Sequence, residues 1–278
     1  LKQKDWPLAA KLGIEIAKNA VASMPIGSLA VEARRRRRRS RAADETSDPE
    51  YARRVFAHLA AMISRYRTIS GRLLEIGPGP TLGVAALFVK AGCSEAVAID
   101  VDPCVNATET FYEELAVTDT LDRVTYICPM ALESASFPDG HFDLVVSNVV
   151  AEYFRDPEAG VENIVRMLAP GGISLHQIRL LGHWGSRDPS DFLRPSERAW
   201  RLATSHRRGQ PNRWRLSDWV AAFERHGAPI VETNVPRRVP VTLASRERFA
   251  PEFRTKSLDD LGVYNARILA IKPWPSLS

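Results

Sequence analysis

Apolar positions follow two rhythms along the chain, and the change between them divides it. Up to about residue 70 they recur at helical spacing. Between Leu8 and Met24, Lys11, Glu15, Lys18 and Asn19 share one side of a helical wheel. Leu12, Ile14, Ile16, Val21 and Met24 spread over the rest, which predicts a helix with a broad apolar face. Pro25-Ile26-Gly27-Ser28 ends it. Asp48 as N-cap with Pro49 at the first helical position opens a second helix. Its stripe of Val55, Leu59, Met62, Ile63 and Tyr66 carries the pattern towards Gly71.

From Arg72 onward, short apolar runs alternate with helical stretches, as expected for an α/β fold whose parallel sheet is covered on both faces. Strands are expected near 72–77, 95–100, 123–128, 142–147 and 172–179, with helices near 82–91, 104–116 and 157–168. The regularity lapses over 180–214. A helix from Leu216 to His226, a strand from Pro229 to Thr233, an irregular excursion over 235–260 and a strand from Tyr264 to Lys272 complete the chain. Two domains are therefore expected: a helical N-terminal extension over 1–70, and an α/β domain over 71–278 with an insertion at about 180–214.

Composition changes this picture little. A chain of 278 residues can bury a full core. Cys93, Cys104 and Cys128 have no paired spacing, which fits a reducing cytosol and offers no disulfide or metal framework. No apolar run approaches the ~20 residues that span a bilayer. Lys11, Glu15 and Lys18 interrupt the first apolar stretch, unlike a secretory leader, so a cytoplasmic location is expected.

Charge adds one feature. Arg34 to Arg39 and Arg41 supply seven positive charges, and subtracting them from the net +5 leaves the remainder at −2. The tract reads as a solvated face. It also reads, with the helix before it, as a peripheral membrane contact, or as a contact for RNA phosphates. The near-neutral remainder and the lack of interleaved aromatics count against nucleic acid.

Candidate chemistry begins at Leu73-Leu74-Glu75-Ile76-Gly77-Pro78-Gly79-Pro80-Thr81, a buried strand running through a glycine turn into a helix. Such a turn brings backbone close to a ligand. Pro78 and Pro80 have no N–H, so the loop is poor in donors for a diphosphate. Ala96-Val97-Ala98-Ile99-Asp100 is a second strand ending in an acid, at the spacing of a ribose-binding carboxylate. Phe137 to Asp143 leads into a later strand, and Leu168-Ala169-Pro170-Gly171-Gly172 forms a further turn.

These motifs, in this order, resemble those of class I S-adenosylmethionine-dependent methyltransferases from about Arg72 to the C-terminus. The resemblance implies a Rossmann-like, seven-stranded, mostly parallel sheet ending in an antiparallel hairpin. It implies S-adenosyl-L-methionine as cofactor, S-adenosyl-L-homocysteine as product, and no metal. Gly77 and Gly79 would pass backbone close to the methionine part of the donor, and Glu75 would orient the loop or meet the donor's ammonium. Asp100 would hold the ribose, Val101 would pack beside the adenine, and Leu132 would offer its N–H to an adenine nitrogen. Asn148 and Val149 would lie under the reacting end. The family often has an acid after the third strand; here that place holds Ala131, with Glu133 as a nearby substitute.

The acceptor half is less legible. Ser147-Asn148-Val149-Val150-Ala151 lacks the Asn/Asp-Pro-Pro-aromatic motif of enzymes that methylate base amines, and it resembles small-molecule methyltransferases. His176 and His183 are candidate general bases, because a neutral imidazole can take a hydroxyl proton near pH 7. Arg213 and Arg215 could meet an anionic group on the acceptor or brace the insertion. The expected activity is O-methylation of a sugar, glycan or natural product, with the 180–214 insertion on the substrate side and the first 70 residues as a lid or interaction region. The alternatives are RNA methylation through the arginine tract and a non-catalytic binding protein of the same fold.

Overall fold

The computed structural model describes residues 7–24, 45–182, 188–207 and 209–275. The arginine tract at 34–41 and His183 lie outside the described residues. Seven strands make one sheet in the order β3-β2-β1-β4-β5-β7-β6. They are β1 Gly71–Ile76, β2 Cys93–Ile99, β3 Val124–Ile127, β4 Phe142–Asn148, β5 Leu168–Arg179, β6 Ile230–Arg238 and β7 Val263–Ile271. The first five pair in parallel. Of the last two, only β7 reverses direction. Gly171 N–H donates to Lys272 O and Lys272 N–H to Gly172 O, which sets β7 antiparallel to β5. Ile271 to Pro229 and Val239 to Gly262 close the antiparallel β6–β7 hairpin. The expected mostly parallel α/β sheet is the one observed.

The longer helices are α1 Leu8–Ser23, α2 Pro49–Ile63, α3 Gly83–Lys90, α4 Glu109–Leu115, α5 Pro157–Met167, α6 Glu197–Thr204 and α7 Leu216–Arg225. Aspartate caps start two of them. Asp48 accepts from Glu50 N–H at 2.9 Å and Asp156 from Ala159 N–H at 3.1 Å, each with proline at the first helical position. Helix α2 stops at Ile63, so Tyr66 falls outside the stripe and is exposed. Among the described residues, no helix is long and apolar enough to cross a membrane.

The chain forms two compact units whose limits differ from the expected 1–70 and 71–278. One comprises Ala43–Ile178, Asp218–Asn234 and Arg267–Ser278. Helix α2 belongs here because its apolar stripe completes this core. Ala52, Leu59, Met62 and Ile63 join Phe88 and Val89 of α3, Phe111 and Leu115 of α4, and sheet residues Leu73, Leu144, Val146 and Leu175. Burial of each large apolar side chain contributes roughly 1.5–3 kcal/mol. The approach is close: a Cβ on Gly83 would stand 3.1 Å from the Ala52 Cβ. On the opposite face, the His176 ring meets Phe223 of α7, with centroids 5.8 Å apart.

The other unit comprises Leu1–Ala42, Arg179–Ser217 and Val235–Ala266, so α1 joins the insertion and the second excursion. Its apolar centre contains Phe192, Leu193, Trp200, Phe249 and Phe253, with Leu8, Leu12 and Ile16 of α1 packed on it. The polar side of α1 corrects the sequence reading. Lys11, Glu15 and Asn19 are buried, whereas Val21 and Met24 are exposed. Asn19 donates to Leu202 O and Ser205 Oγ and accepts from His206 N–H, and Lys11 lies 3.8 Å from Asp191. Burial tends to raise the Glu15 carboxyl, but hydrogen bonds and charge from Lys18 and Arg207 outweigh it and hold the group below its ordinary range. Polar partners elsewhere in this unit turn this face inward.

Two arginines brace the unit. Arg213 donates to Pro195 O, Glu197 and Glu252, between the rings of Trp200 and Phe253. Arg215, 1% exposed, donates to the carbonyls of Leu180, Leu261 and Val263 at 2.8, 3.1 and 2.6 Å. Its planar fork spans segments that a point-like ammonium cannot. Arg215→Met should cost about 3–5 kcal/mol, because buried carbonyls lose their donor. Arg215→Lys should recover only part of that loss. Denaturant unfolding of the three proteins checks this order.

Candidate functional site

The carboxyl ends of β1, β2 and β4 lie side by side, where open parallel sheets bind ligands. Ile76 is in register with Ile99 and with Ser147, so Gly77, Asp100 and Asn148 are the next residues on three neighbouring strands. Gly77 N–H donates to Ile99 O at 2.8 Å. Gly77 and Gly79 have φ of +67° and +71°, a left-handed conformation that glycine adopts at little cost. Their surroundings differ. A Cβ on Gly77 would come 2.6 Å from Val150 Cγ2, while one on Gly79 would meet nothing within 4 Å. Gly77 therefore permits interlocking, and Gly79 leaves open space beside the backbone.

Glu75 ties the end of β1 to the first turn of α3. Its buried carboxyl accepts from Ala85 N–H at 3.0 Å, near the N-terminus of α3, where an acceptor is favoured. Burial pushes its pKa up to about 8 against the pull of that hydrogen bond. Pro80 O accepts from the N–H groups of Asn106 and Ala107, tying the loop to the segment after β2.

Asp100 begins a tight turn in which its Oδ1 accepts from Asp102 N–H at 3.0 Å. Met130 N–H donates to Asp100 O, which brings the segment after β3 alongside. Val101 is 44% exposed, an apolar side chain offered at a strand end. Leu132 is buried at the head of a 3-10 turn, a position whose N–H has no helical acceptor. Asn163 Nδ2 donates to Leu132 O at 2.9 Å and holds that turn. Glu133, the candidate substitute for an acid at Ala131, accepts instead from Arg155 N–H at 2.7 Å.

Beyond β4 the backbone is strained. Val149 has φ +60°, costly for a β-branched residue and concentrated in proteins at functional sites. Its N–H donates to Gln177 O at 2.8 Å. Arg267 Nε holds the Gln177 side chain at 2.7 Å. Asn148 Nδ2 donates to Tyr51 Oη at 2.9 Å.

The expected catalytic residues fare differently from the loop. His176 is 1% exposed, with Nδ1 2.7 Å from Ser147 Oγ and Nε2 2.5 Å from Ser174 Oγ. Burial lowers its pKa to about 3. A neutral imidazole with both nitrogens engaged inside the core is structural, which corrects its candidacy as a general base. His183 lies outside the described residues. Arg213 and Arg215 brace the fold, as described above. The sequence reading missed Tyr51, Val150 and Gln177, since one lies on an unremarkable helix and the others act through a backbone carbonyl and a methyl contact. Among the described residues, no three His, Cys, Asp or Glu side chains converge as metal ligands would.

The β1 loop, the β2 acid, the β4 exit and Pro170-Gly171-Gly172, which lies within β5 rather than in a turn before it, thus occupy one contiguous stretch of alternating strands and helices. Residues 74–175 match a family described as a methyltransferase domain. No curated protein sequence matches the chain. Among solved structures, a candidate sarcosine dimethylglycine methyltransferase from Galdieria sulphuraria is 15% identical with a TM-score of 0.52, over 79% of this chain and 86% of that one. At that identity the likeness is one of fold. The 1,6-didemethyltoxoflavin-N1-methyltransferase of Burkholderia thailandensis, solved with bound 1,6-didemethyltoxoflavin and S-adenosylhomocysteine, is 17% identical with a TM-score of 0.46, over 80% and 78%. The methyltransferase domain match begins at Leu74 and spans the loop, Asp100, Leu132 and the β4 exit.

Two outcomes test this geometry. Gly77→Ala should destabilise more than Gly79→Ala. Both incur the left-handed cost of about 1–2 kcal/mol, but only the first also meets Val150; adding Val150→Ala should bring it to the level of the second. Equal losses from the two glycine changes would contradict the interlock. Glu75 stays protonated in the fold up to about pH 8 while the unfolded group ionises near its ordinary value, so wild-type stability falls as pH rises between those limits. Glu75→Gln should remove that fall, and its advantage in chemical denaturation should grow up to pH 8 and then level off.

Proposed function

We propose that the protein transfers a methyl group from S-adenosyl-L-methionine to a hydroxyl of a sugar, glycan or natural-product small molecule. The observation that carries the donor assignment is the juxtaposition of the Glu75–Gly79 loop with Asp100 at adjacent strand ends. When bound, the donor supplies an electrophilic methyl on a sulfonium. The chain's own residues supply shape and hydrogen bonds. Gly79 leaves space for a ligand beside the loop, Asp100 offers a carboxylate to ribose hydroxyls, and Val101 offers an apolar surface to an adenine ring. The Leu132 N–H offers a donor to a ring nitrogen, although Ala131 removes the usual acceptor for the amino group. Asn148 and Val149 set the floor beneath the reacting end. Holding two reactants in line can supply roughly 7–11 kcal/mol of a barrier, so a displacement of this kind is served mainly by alignment.

The acceptor assignment rests on the β4 exit. Asn148-Val149-Val150-Ala151 stands where amine-modifying enzymes carry Asn/Asp-Pro-Pro-aromatic, and the strained Val149 shapes it without offering stacked prolines or a ring. With His176 buried, a general base is left to His183 or to the acceptor's own acidity.

Calorimetric titration of the intact protein should give saturable binding of both the donor and its demethylated product. Asp100→Ala should weaken each by about 10- to 100-fold, the loss of hydrogen bonds to a charged acceptor. No binding to intact protein would reject the assignment. Product release on a panel of sugars and glycans, compared with RNA, then separates the acceptor classes.

A further inference from the structure

Helix α2 precedes the matched methyltransferase segment, yet one of its side chains reaches the β4 exit. Tyr51 Oη accepts from Asn148 Nδ2 at 2.9 Å. The neighbouring Ala52 is packed into the core against Gly83, so the helix backbone is fixed where Tyr51 departs from it. Arg54 lies 5.8 Å from the Tyr51 ring centroid. Asn148 itself is next in line after Ser147, which pairs in register with Ile76, so it adjoins Gly77. The residue after it has φ +60° and is anchored to Gln177. The backbone of this segment is thus set by the sheet, and the orientation of the Asn148 carboxamide is set by Tyr51.

We infer that Tyr51 is a positioning residue of the donor site, acting through Asn148, so that α2 helps to set donor affinity. The inference rests on the donor assignment above. A carboxamide carries a donor and an acceptor on one planar group, and a hydrogen bond to one end fixes where the other points. An oriented carboxamide can meet the ammonium or the carboxylate of an amino-acid moiety without reorganising on binding. Without the phenol, the amide rotates and the ligand must order it.

The test is a double-mutant cycle of Tyr51→Phe and Asn148→Ala, read by calorimetry with S-adenosyl-L-methionine and S-adenosyl-L-homocysteine. Tyr51→Phe should weaken both by about 3- to 10-fold, the worth of one neutral hydrogen bond. It should leave the thermal midpoint of the unliganded protein within about 2 °C of wild type. In the Asn148→Ala background the same change should have no further effect. Wild-type affinity in Tyr51→Phe, or the same loss in both backgrounds, would overturn the inference. An affinity loss that merely follows a lowered midpoint would overturn it as well, since that marks a structural role. If the wild type binds neither ligand, the donor assignment falls. The Tyr51–Asn148 pair is still checked separately, because the Asn148 side-chain amide resonance should shift on Tyr51→Phe.

Discussion

The close approach of the β1 and β4 exits is the constraint on which the site depends. Val150 occupies the space that any side chain at position 77 would need, so one glycine lets two neighbouring strands end against each other. The cost appears next door, in the left-handed Val149, which is of order 1–3 kcal/mol for such a conformation. It is offset by bonds that radiate outward: Gly77 to Ile99, Val149 to Gln177, and Gln177 to Arg267. Three strands and the hairpin strand β7 thereby hold one short segment in an otherwise unfavourable shape. Rigid surroundings of this kind let a site keep its geometry without a ligand.

Much of this was legible in the chain, and the reason is periodicity. A strand buried on both faces reads as an apolar run, and a core-facing helix as a stripe. Most placements from Leu73 to Ile178 follow directly, although α4 starts at Glu109 rather than near 104 and β5 at Leu168 rather than near 172. Proline after aspartate located the start of α2 to the residue. The loop and Asp100 were legible because glycine, proline and strand-end acids have few reasons to occur together at that spacing.

What failed to show was set by partners distant in sequence. His176 looks like a strand-end imidazole with a proton to exchange. It is instead a core group whose two nitrogens meet Ser147 and Ser174. Nothing local distinguishes these cases, because the alternation of β5 does not say what packs upon it. Tyr51 is equally silent. Its helix announces a stripe through Leu59 and Ile63, and the phenol's reach to Asn148 appears only when α2 is docked on α3.

Both units have an apolar centre, and sequence reasoning holds where burial follows hydrophobicity. In the sheet-bearing unit the central cluster is apolar, so burial follows hydrophobicity and the pattern is its own map. In the other unit, Lys11, Glu15, Asn19, Arg213 and Arg215 are buried among acceptors and counter-charges. A buried polar group is tolerable only when its partners are in place, and those partners come from segments more than a hundred residues away for Glu15 and Asn19. Hydrophobic patterning assigns such residues to the surface. It therefore inverts the outlook of α1 while leaving its length correct. Within its unit α1 is held by directional polar contacts as well as by Leu8, Leu12 and Ile16, and α2 is held on the sheet by apolar ones.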